Sequence, residues 1–272
     1  MSAADKRSVF RALHASGCFV VPNPWDLGSA RMLESLGFKA LATTSAGYAW
    51  SRAQPDNGVT LEMALVHLAE MVEGTTLPIN ADFEGGFAAD AAGVEAHVRL
   101  AVQTGIAGLS IEDSTGDAAH PLHAIDDAAD RIRAARRAID RSGGDTLLVG
   151  RAECFLVGRP DIDETIARLK RYADAGADCL YAPGLKTHEQ IAAVVKAIAP
   201  KPFNLLVSSP GELSFDEIAA LGVRRVSVGG ALARTAWAGF MRASRLLAQG
   251  RFDGLADGAS GQELNALFSA TP

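Results

Sequence analysis

Cysteine is scarce in this chain: Cys18, Cys154 and Cys179 are the only three in 272 residues. An odd count at wide spacing with apolar neighbours excludes a disulfide framework and any CxxC metal or redox pair, so a reducing cytoplasm is the expected compartment. Positive charge is also short, with 26 Lys and Arg against 32 Asp and Glu, a net charge of -6 and a pI near 5.5. A surface that neutralises nucleic-acid phosphates needs the opposite balance. The one basic cluster, Arg131 to Arg141, has helical spacing broken by Asp140 and reads as a solvated helix face. No apolar run approaches the ~20 residues that span a bilayer, and Met1 to Phe10 lacks the apolar stretch of a secretory signal. Neither a membrane nor a targeting segment is expected.

What is present is an ordinary core-forming composition, 48% hydrophobic and 21% charged. Short apolar runs alternate with amphipathic stretches from one end to the other, and eight such units can be counted. The strand-like runs are Cys18–Trp25, Ala40–Ser45, Leu77–Glu84, Gly108–Asp113, Leu147–Cys154, Cys179–Gly184, Pro202–Ser208 and Arg224–Gly230. Helical periods follow each, including Ala30–Leu36, Leu61–Val72, Gly93–Gln103, Ala124–Arg141, Ile162–Ala175, His188–Ile198, Phe215–Leu221 and Leu232–Leu247. Near-continuous apolarity marks strands buried on both faces, as in a parallel sheet covered by helices. Gly37, Gly105, Gly176 and Gly222 punctuate the same helix-to-strand turn four times. The predicted fold is therefore a (β/α)8 barrel forming one domain over 1–272, with a core over 18–250 and an extension over 251–272. Lys6–Ala15 is predicted to pack across one barrel end, and Leu255–Phe268 to form a terminal helix. A doubly wound sheet is disfavoured by the unit count and by the lack of GxGxxG after the first strand.

In such a barrel the loops after the strands hold the site. The second strand ends Thr43-Thr44-Ser45-Ala46-Gly47, whose hydroxyls and amides suit a carboxylate, although a simple tight turn explains them equally. Alternation puts Asn80, Asp82 and Glu84 on one face, and the fourth strand ends in Glu112-Asp113. Acids at adjacent strand ends repel unless a cation offsets them, and hard oxygen ligands suit Mg²⁺; helix capping is the alternative. Arg151 within an apolar strand needs a partner, either a substrate carboxylate or Glu153 two residues on. The segments Ala46–Val59, which contains Asp56, and Ser114–Leu122 read as loops able to close over the site, while His120 and His123 read as surface or capping residues. Trp237 and Phe240 suit either an interface or core packing.

These stretches resemble the isocitrate lyase and phosphoenolpyruvate mutase superfamily from about Val20 to Leu247. The carrying motifs are Val21-Pro22-Asn23-Pro24-Trp25-Asp26-Leu27-Gly28-Ser29-Ala30, Thr43-Thr44-Ser45-Ala46-Gly47, Asn80-Ala81-Asp82, Ile111-Glu112-Asp113 and Gly150-Arg151-Ala152-Glu153. The resemblance implies Mg²⁺, or Mn²⁺ in its place, at the barrel mouth, where an enolate-like species forms as a C–C or P–C bond is made or broken. It implies that Thr44, Ser45 and Ala46 bind the oxo-acid end and that Arg151 holds its carboxylate. Asp56, Asp82 and Glu112 match the acids that hold the metal directly or through water, with Asn80 where an aspartate is usual. Arg151, Glu112 and Asp56 are the implied catalytic groups. A homotetramer is implied as well, with a C-terminal helix exchanged between subunits.

Two departures narrow the reaction. The Lys-Lys/Arg-Cys-Gly motif of the isocitrate and methylisocitrate lyases is absent, the corresponding loop reading Ser114-Thr115-Gly116-Asp117-Ala118-Ala119-His120-Pro121. The Asn-Lys-Thr-Asn stretch of the phosphonate mutases is missing too. The sequence thus predicts a lyase or decarboxylase acting on a small 2-oxo acid of the oxaloacetate or substituted-malate type. A phosphonopyruvate-type mutase or hydrolase, and an oxo-acid-binding protein without turnover, are the alternatives.

Overall fold

The computed structural model describes residues 1–211 and 213–269, so residue 212 and the end of the predicted extension, 270–272, lie outside the described residues. Eight strands form one sheet: β1 (Phe19–Val21), β2 (Leu41–Ala42), β3 (Ile79–Asp82), β4 (Gly108–Glu112), β5 (Leu147–Arg151), β6 (Cys179–Tyr181), β7 (Phe203–Leu206) and β8 (Arg225–Ser227). Every pairing is parallel, in the order β1-β8-β7-β6-β5-β4-β3-β2. A hydrogen bond from the Ala42 N–H to the Pro22 carbonyl, 3.0 Å, brings the two ends together. This is the predicted (β/α)8 barrel.

Each predicted strand is present but shorter than expected at its carboxyl end. Polar residues such as Glu84, Asp113 and Glu153 leave the sheet ladder to begin the loops that carry the site. The helices are α1 (Ala3–Ala15), α2 (Leu27–Ser35), α3 (Ser45–Ser51), α4 (Leu61–Gly74), α5 (Ala91–Gln103) and α6 (Ile125–Arg141). They continue with α7 (Ile162–Asp174), α8 (His188–Ile198), α9 (Phe215–Ala220), α10 (Ala231–Leu247) and α11 (Gly261–Ser269). Gly37, Gly105, Gly176 and Gly222 all take left-handed backbone, φ 84° to 104°, at the recurring turn.

Among the described residues the core has two large parts, beside a small cluster of Ala49, Val59 and Ala64. One, with Leu41, Leu68, Ile79, Val98, Ile111 and Leu180, lies between helices and sheet; the other fills the barrel interior with Phe10, Val21, Ala40, Leu147, Val149 and Cys179. Phe10 belongs to α1, which closes the amino-terminal end of the barrel. Lys6 Nζ donates to the carbonyls of Val72 and Thr75 at 2.8 and 2.7 Å, and Arg7 to those of Ile106 and Val102 at 3.0 and 2.9 Å. These cations fill orphan carbonyls at helix and strand ends.

Three expectations need correction. The segment Ala46–Val59 is not loop throughout, because α3 occupies its first turns. Thr44 caps it by accepting from the Gly47 N–H at 3.3 Å, and a Cβ at Gly47 would meet Trp25 Cβ at 2.9 Å, so glycine is what fits at that point of the helix. The cluster Arg131–Arg141 is not a uniformly solvated face: Arg131 is 5% exposed. Its guanidinium donates to the carbonyls of Gly85, Ala88 and Ala89 at 2.8, 2.6 and 3.2 Å. The terminal helix is split, with a 3-10 turn at Asp253–Leu255 before α11. Among the described residues no helix is long and apolar enough to cross a membrane.

Candidate active site

Register brings the predicted residues together. Glu112 and Arg151 are direct partners between β4 and β5, Arg151 pairs with Tyr181 on β6, and Asp82 pairs with Ser110 on the other side. Arg151 Nη1 lies 3.3 Å from Asp82 Oδ1 and 3.1 Å from Glu112 Oε2, while its Nε bonds Glu153. Its guanidinium also stands over the Tyr181 ring, 5.1 Å from the centroid. Of the two partners foreseen for Arg151, Glu153 is bonded to it, and the arginine also lines the cavity. Burial opposes its charge, but Glu112, Glu153, Tyr181 and Asp82 outweigh that and keep it firmly protonated.

Asp82 is fixed from β2. The Ser45 N–H and hydroxyl both donate to its Oδ2 at 2.9 Å, and the Thr43 hydroxyl accepts from the Asp82 N–H at 2.9 Å. The Ser45 donors that the sequence offered to a substrate thus orient this acid, and Thr44 is occupied as the cap of α3. Glu112 accepts from the Ser114 hydroxyl at 2.5 Å. Asp113 turns away: its Oδ1 accepts from the Glu153 N–H at 2.8 Å, and its Oδ2 from Arg168 at 3.0 Å and the Tyr172 hydroxyl at 2.6 Å. It ties β4, β5 and α7 together beneath the site.

The acids differ in depth. Asn80 is 2% exposed and sits lower in the barrel, its Oδ1 accepting from Arg225 Nη1 at 3.2 Å. Glu84 takes the place above Asp82, on left-handed backbone at φ 45°, a conformation that costs a residue with a β-carbon. Arg131 holds the following turn from behind. Glu84 Oε1 is buried without a hydrogen-bond partner. Burial, then the charges of Asp82, Glu112 and Asp56, push the Glu84 carboxyl up to about 8 against the pull of Arg151. Burial likewise raises Glu112, and carries Glu153 up to about 8, although Arg151 opposes both. Asp56 stands exposed at the rim, and Ser114, Gly116, Asp117 and Pro121 line one wall. His120 is outside the cavity, paired with Asp117 at 3.3 Å on the surface. The cavity holds about 840 Å³, ample for a small organic acid.

Glu84 was legible as a member of the Asn80, Asp82 and Glu84 face but not as a site residue, because strand alternation does not say which member reaches the mouth. Tyr181 and Arg225 gave no signal beyond strand membership. Among the described residues no three His, Cys, Asp or Glu side chains form a ready-made ligand cage. Mg²⁺ seldom needs one, as it keeps several waters and takes one or two carboxylates. The question is whether an acid has spare donor capacity, and Glu84 Oε1 does. A hard divalent cation could thus take a direct oxygen from Glu84, with Asp82 and Glu112, already engaged by Ser45, Ser114 and Arg151, reaching it through water.

The raised Glu84 has a consequence for stability. Its ordinary value near 4.5 rises to about 8 on folding, so the native state binds the extra proton between those values. The stability it contributes is complete below about pH 4.5 and lost as pH rises through about 8. With divalent ions chelated, the melting temperature is expected to fall between about pH 6 and about pH 8.5, and Glu84→Gln to flatten part of that fall. An identical slope in the variant would argue against a buried, isolated Glu84.

Comparison with known proteins agrees with this architecture. A family profile described as phosphoenolpyruvate phosphomutase matches residues 10–248. A Burkholderia cenocepacia J2315 protein assigned as a lyase or mutase superposes with a TM-score of 0.95 at 47% identity, over 98% of each chain. The oxaloacetate decarboxylase of Pseudomonas putida (strain GB-1) is 30% identical over 83% of this chain and 78% of its own. Oxaloacetate acetylhydrolase, solved with the product oxalate, superposes with a TM-score of 0.85 at 29% identity, over 98% of this chain and 93% of its own.

Proposed function

Since the chain belongs to the phosphoenolpyruvate mutase and isocitrate lyase superfamily, we propose that it is a carbon–carbon lyase that takes up or releases a small 2-oxo acid, with oxaloacetate or a substituted malate as substrate. The observation that carries this reading is the meeting of Asp82, Glu84, Glu112 and Arg151 at one cavity mouth. Arg151 offers its guanidinium edge to the oxo-acid carboxylate, with the residues Thr44 to Ala46 at its side. Asp82, Glu84 and Glu112 would hold Mg²⁺ or Mn²⁺, with Asp56 reaching it from the rim; Asn80, engaged by Arg225, stays outside this set. When bound, the ion would supply Lewis-acid stabilisation of charge developing on the enolate oxygen. Ser45 keeps Asp82 in place, Ser114 orients Glu112, and the wall from Ser114 to Pro121 excludes water from the reacting bond.

The test is a panel of oxaloacetate, substituted malates and phosphonopyruvate with Mg²⁺ or Mn²⁺, read by product chromatography and phosphorus NMR. Cleavage of a carbon acid is the expected result. Phosphorus-containing products would favour the mutase or hydrolase alternative, and binding without any product would leave an oxo-acid-binding protein.

The reading extends to assembly. Along α10 only Ala233 is buried, while Trp237, Phe240 and Met241 are 37%, 63% and 43% exposed. We propose that this face meets another copy of the chain in a homo-oligomer, a tetramer by family resemblance. Phe240→Glu is expected to reduce the mass measured by light scattering to that of a smaller assembly; an unchanged mass would remove α10 from the interface.

A further inference from the structure

Three arginines line the cavity, and they are committed differently. Arg151 is paired with Asp82, Glu112 and Glu153. Arg234, at the rim, donates to the Ser208 carbonyl at 2.7 Å. Arg225 opens β8 on the barrel floor and is 2% exposed, yet among the described residues no carboxylate pairs with it. Its Nε donates to Asn204 Oδ1 at 2.7 Å and its Nη1 to Asn80 Oδ1 at 3.2 Å, with His14 Nε2 3.4 Å away. Phe10 lies beneath, 6.0 Å from the guanidinium carbon.

Every one of these neighbours is neutral. Burial and the charge of Arg225 push His14 down to about 3. The acidic groups that Arg225 feels are Cys179 and Tyr181, and burial pushes these up to about 11 and about 12. A guanidinium in a low-dielectric interior is costly unless an anion accompanies it. The same floor is open to the cavity and carries the hydroxyls of Ser110 and Ser227, with Ala42 leaving room beside them.

We propose that the barrel floor is a second anion subsite, in which Arg225 receives one carboxylate of a dicarboxylic 2-oxo acid whose oxo end lies at the mouth. This rests on the oxo-acid reading above and assigns the second carboxylate of such a substrate to Arg225. A merely structural Arg225, tying Asn80 to Asn204, would not distinguish a carboxylate from a methyl group.

Oxaloacetate and 2-oxobutyrate differ in that one respect, and Trp50 lines the cavity, so binding can be followed by stopped-flow tryptophan fluorescence with Mg²⁺ present. The wild-type protein is expected to bind oxaloacetate at least about tenfold more tightly than 2-oxobutyrate, as a charge-assisted pair allows. Arg225→Met is expected to bring that ratio to about one with 2-oxobutyrate affinity unchanged. Arg225→Lys, which keeps the charge without the planar fork, is expected to retain part of the preference and serves if the methionine variant does not fold. A wild-type ratio near one, or a preference surviving both substitutions in folded protein, overturns the floor subsite alone. Failure of the wild type to bind either acid overturns the oxo-acid reading and the subsite with it.

Discussion

Arg151→Ala is expected to lower kcat/KM for the oxo acid by about a thousandfold or more and to destabilise the protein by about 3–5 kcal/mol at neutral pH. Both effects come from one group. The guanidinium bridges Asp82, Glu112 and Glu153, and its removal leaves buried carboxylates without a counter-charge. They respond by holding protons. Glu112 and Glu153 are already raised by burial against the pull of Arg151, so deleting that pull raises them further. Groups raised in the folded state lose their stabilising proton as pH climbs, and the variant should become progressively less stable relative to wild type from acid to alkaline pH. Denaturant titrations across pH, with steady-state kinetics at the optimum, measure the two effects separately. A variant with wild-type affinity and a flat stability difference would show that Arg151 neither binds substrate nor neutralises the acids.

Glu112→Gln separates chemistry from folding. The carboxylate sits at the end of β4 against Arg151, with Ser114 donating to its other oxygen. A neutral amide of the same shape should reduce turnover by about 10²–10³-fold, through loss of charge stabilisation and of a metal donor. Stability should move little or rise, because the substitution also removes an acid that burial disfavours. Thermal melts and manganese binding by electron paramagnetic resonance distinguish the outcomes. A large fall in melting temperature with metal binding intact would make Glu112 a structural ion-pair partner of Arg151.

The barrel was legible because its signal is repeated and redundant. Eight apolar runs buried on both faces, and the glycine turns at Gly37, Gly105, Gly176 and Gly222, state the same architecture several times over. The mouth acids were legible for the same reason, as strand alternation orders Asn80, Asp82 and Glu84 along one face. Depth was not legible. Whether Asn80 or Glu84 shares the mouth with Asp82 depends on where β3 ends and on the left-handed backbone at Glu84, which Arg131 secures from another helix. Helix α3 was hidden because Gly47 lacks a side chain for reasons of packing against Trp25 and Ala233 and Ser45 is there to bond Asp82, and small residues in sequence read as a turn. Arg225 was hidden because a lone arginine in a strand does not announce whether it has an acid beside it.

Helix α1 seals the amino-terminal end of the barrel with Phe10, Lys6 and Arg7. A vessel closed at its base leaves the mouth as the way out, so both fragments of a cleaved molecule would depart past the same rim. If Arg225 holds a carboxylate as proposed, the fragment resting there would leave last and compete directly with incoming substrate, whereas the other would inhibit without competing.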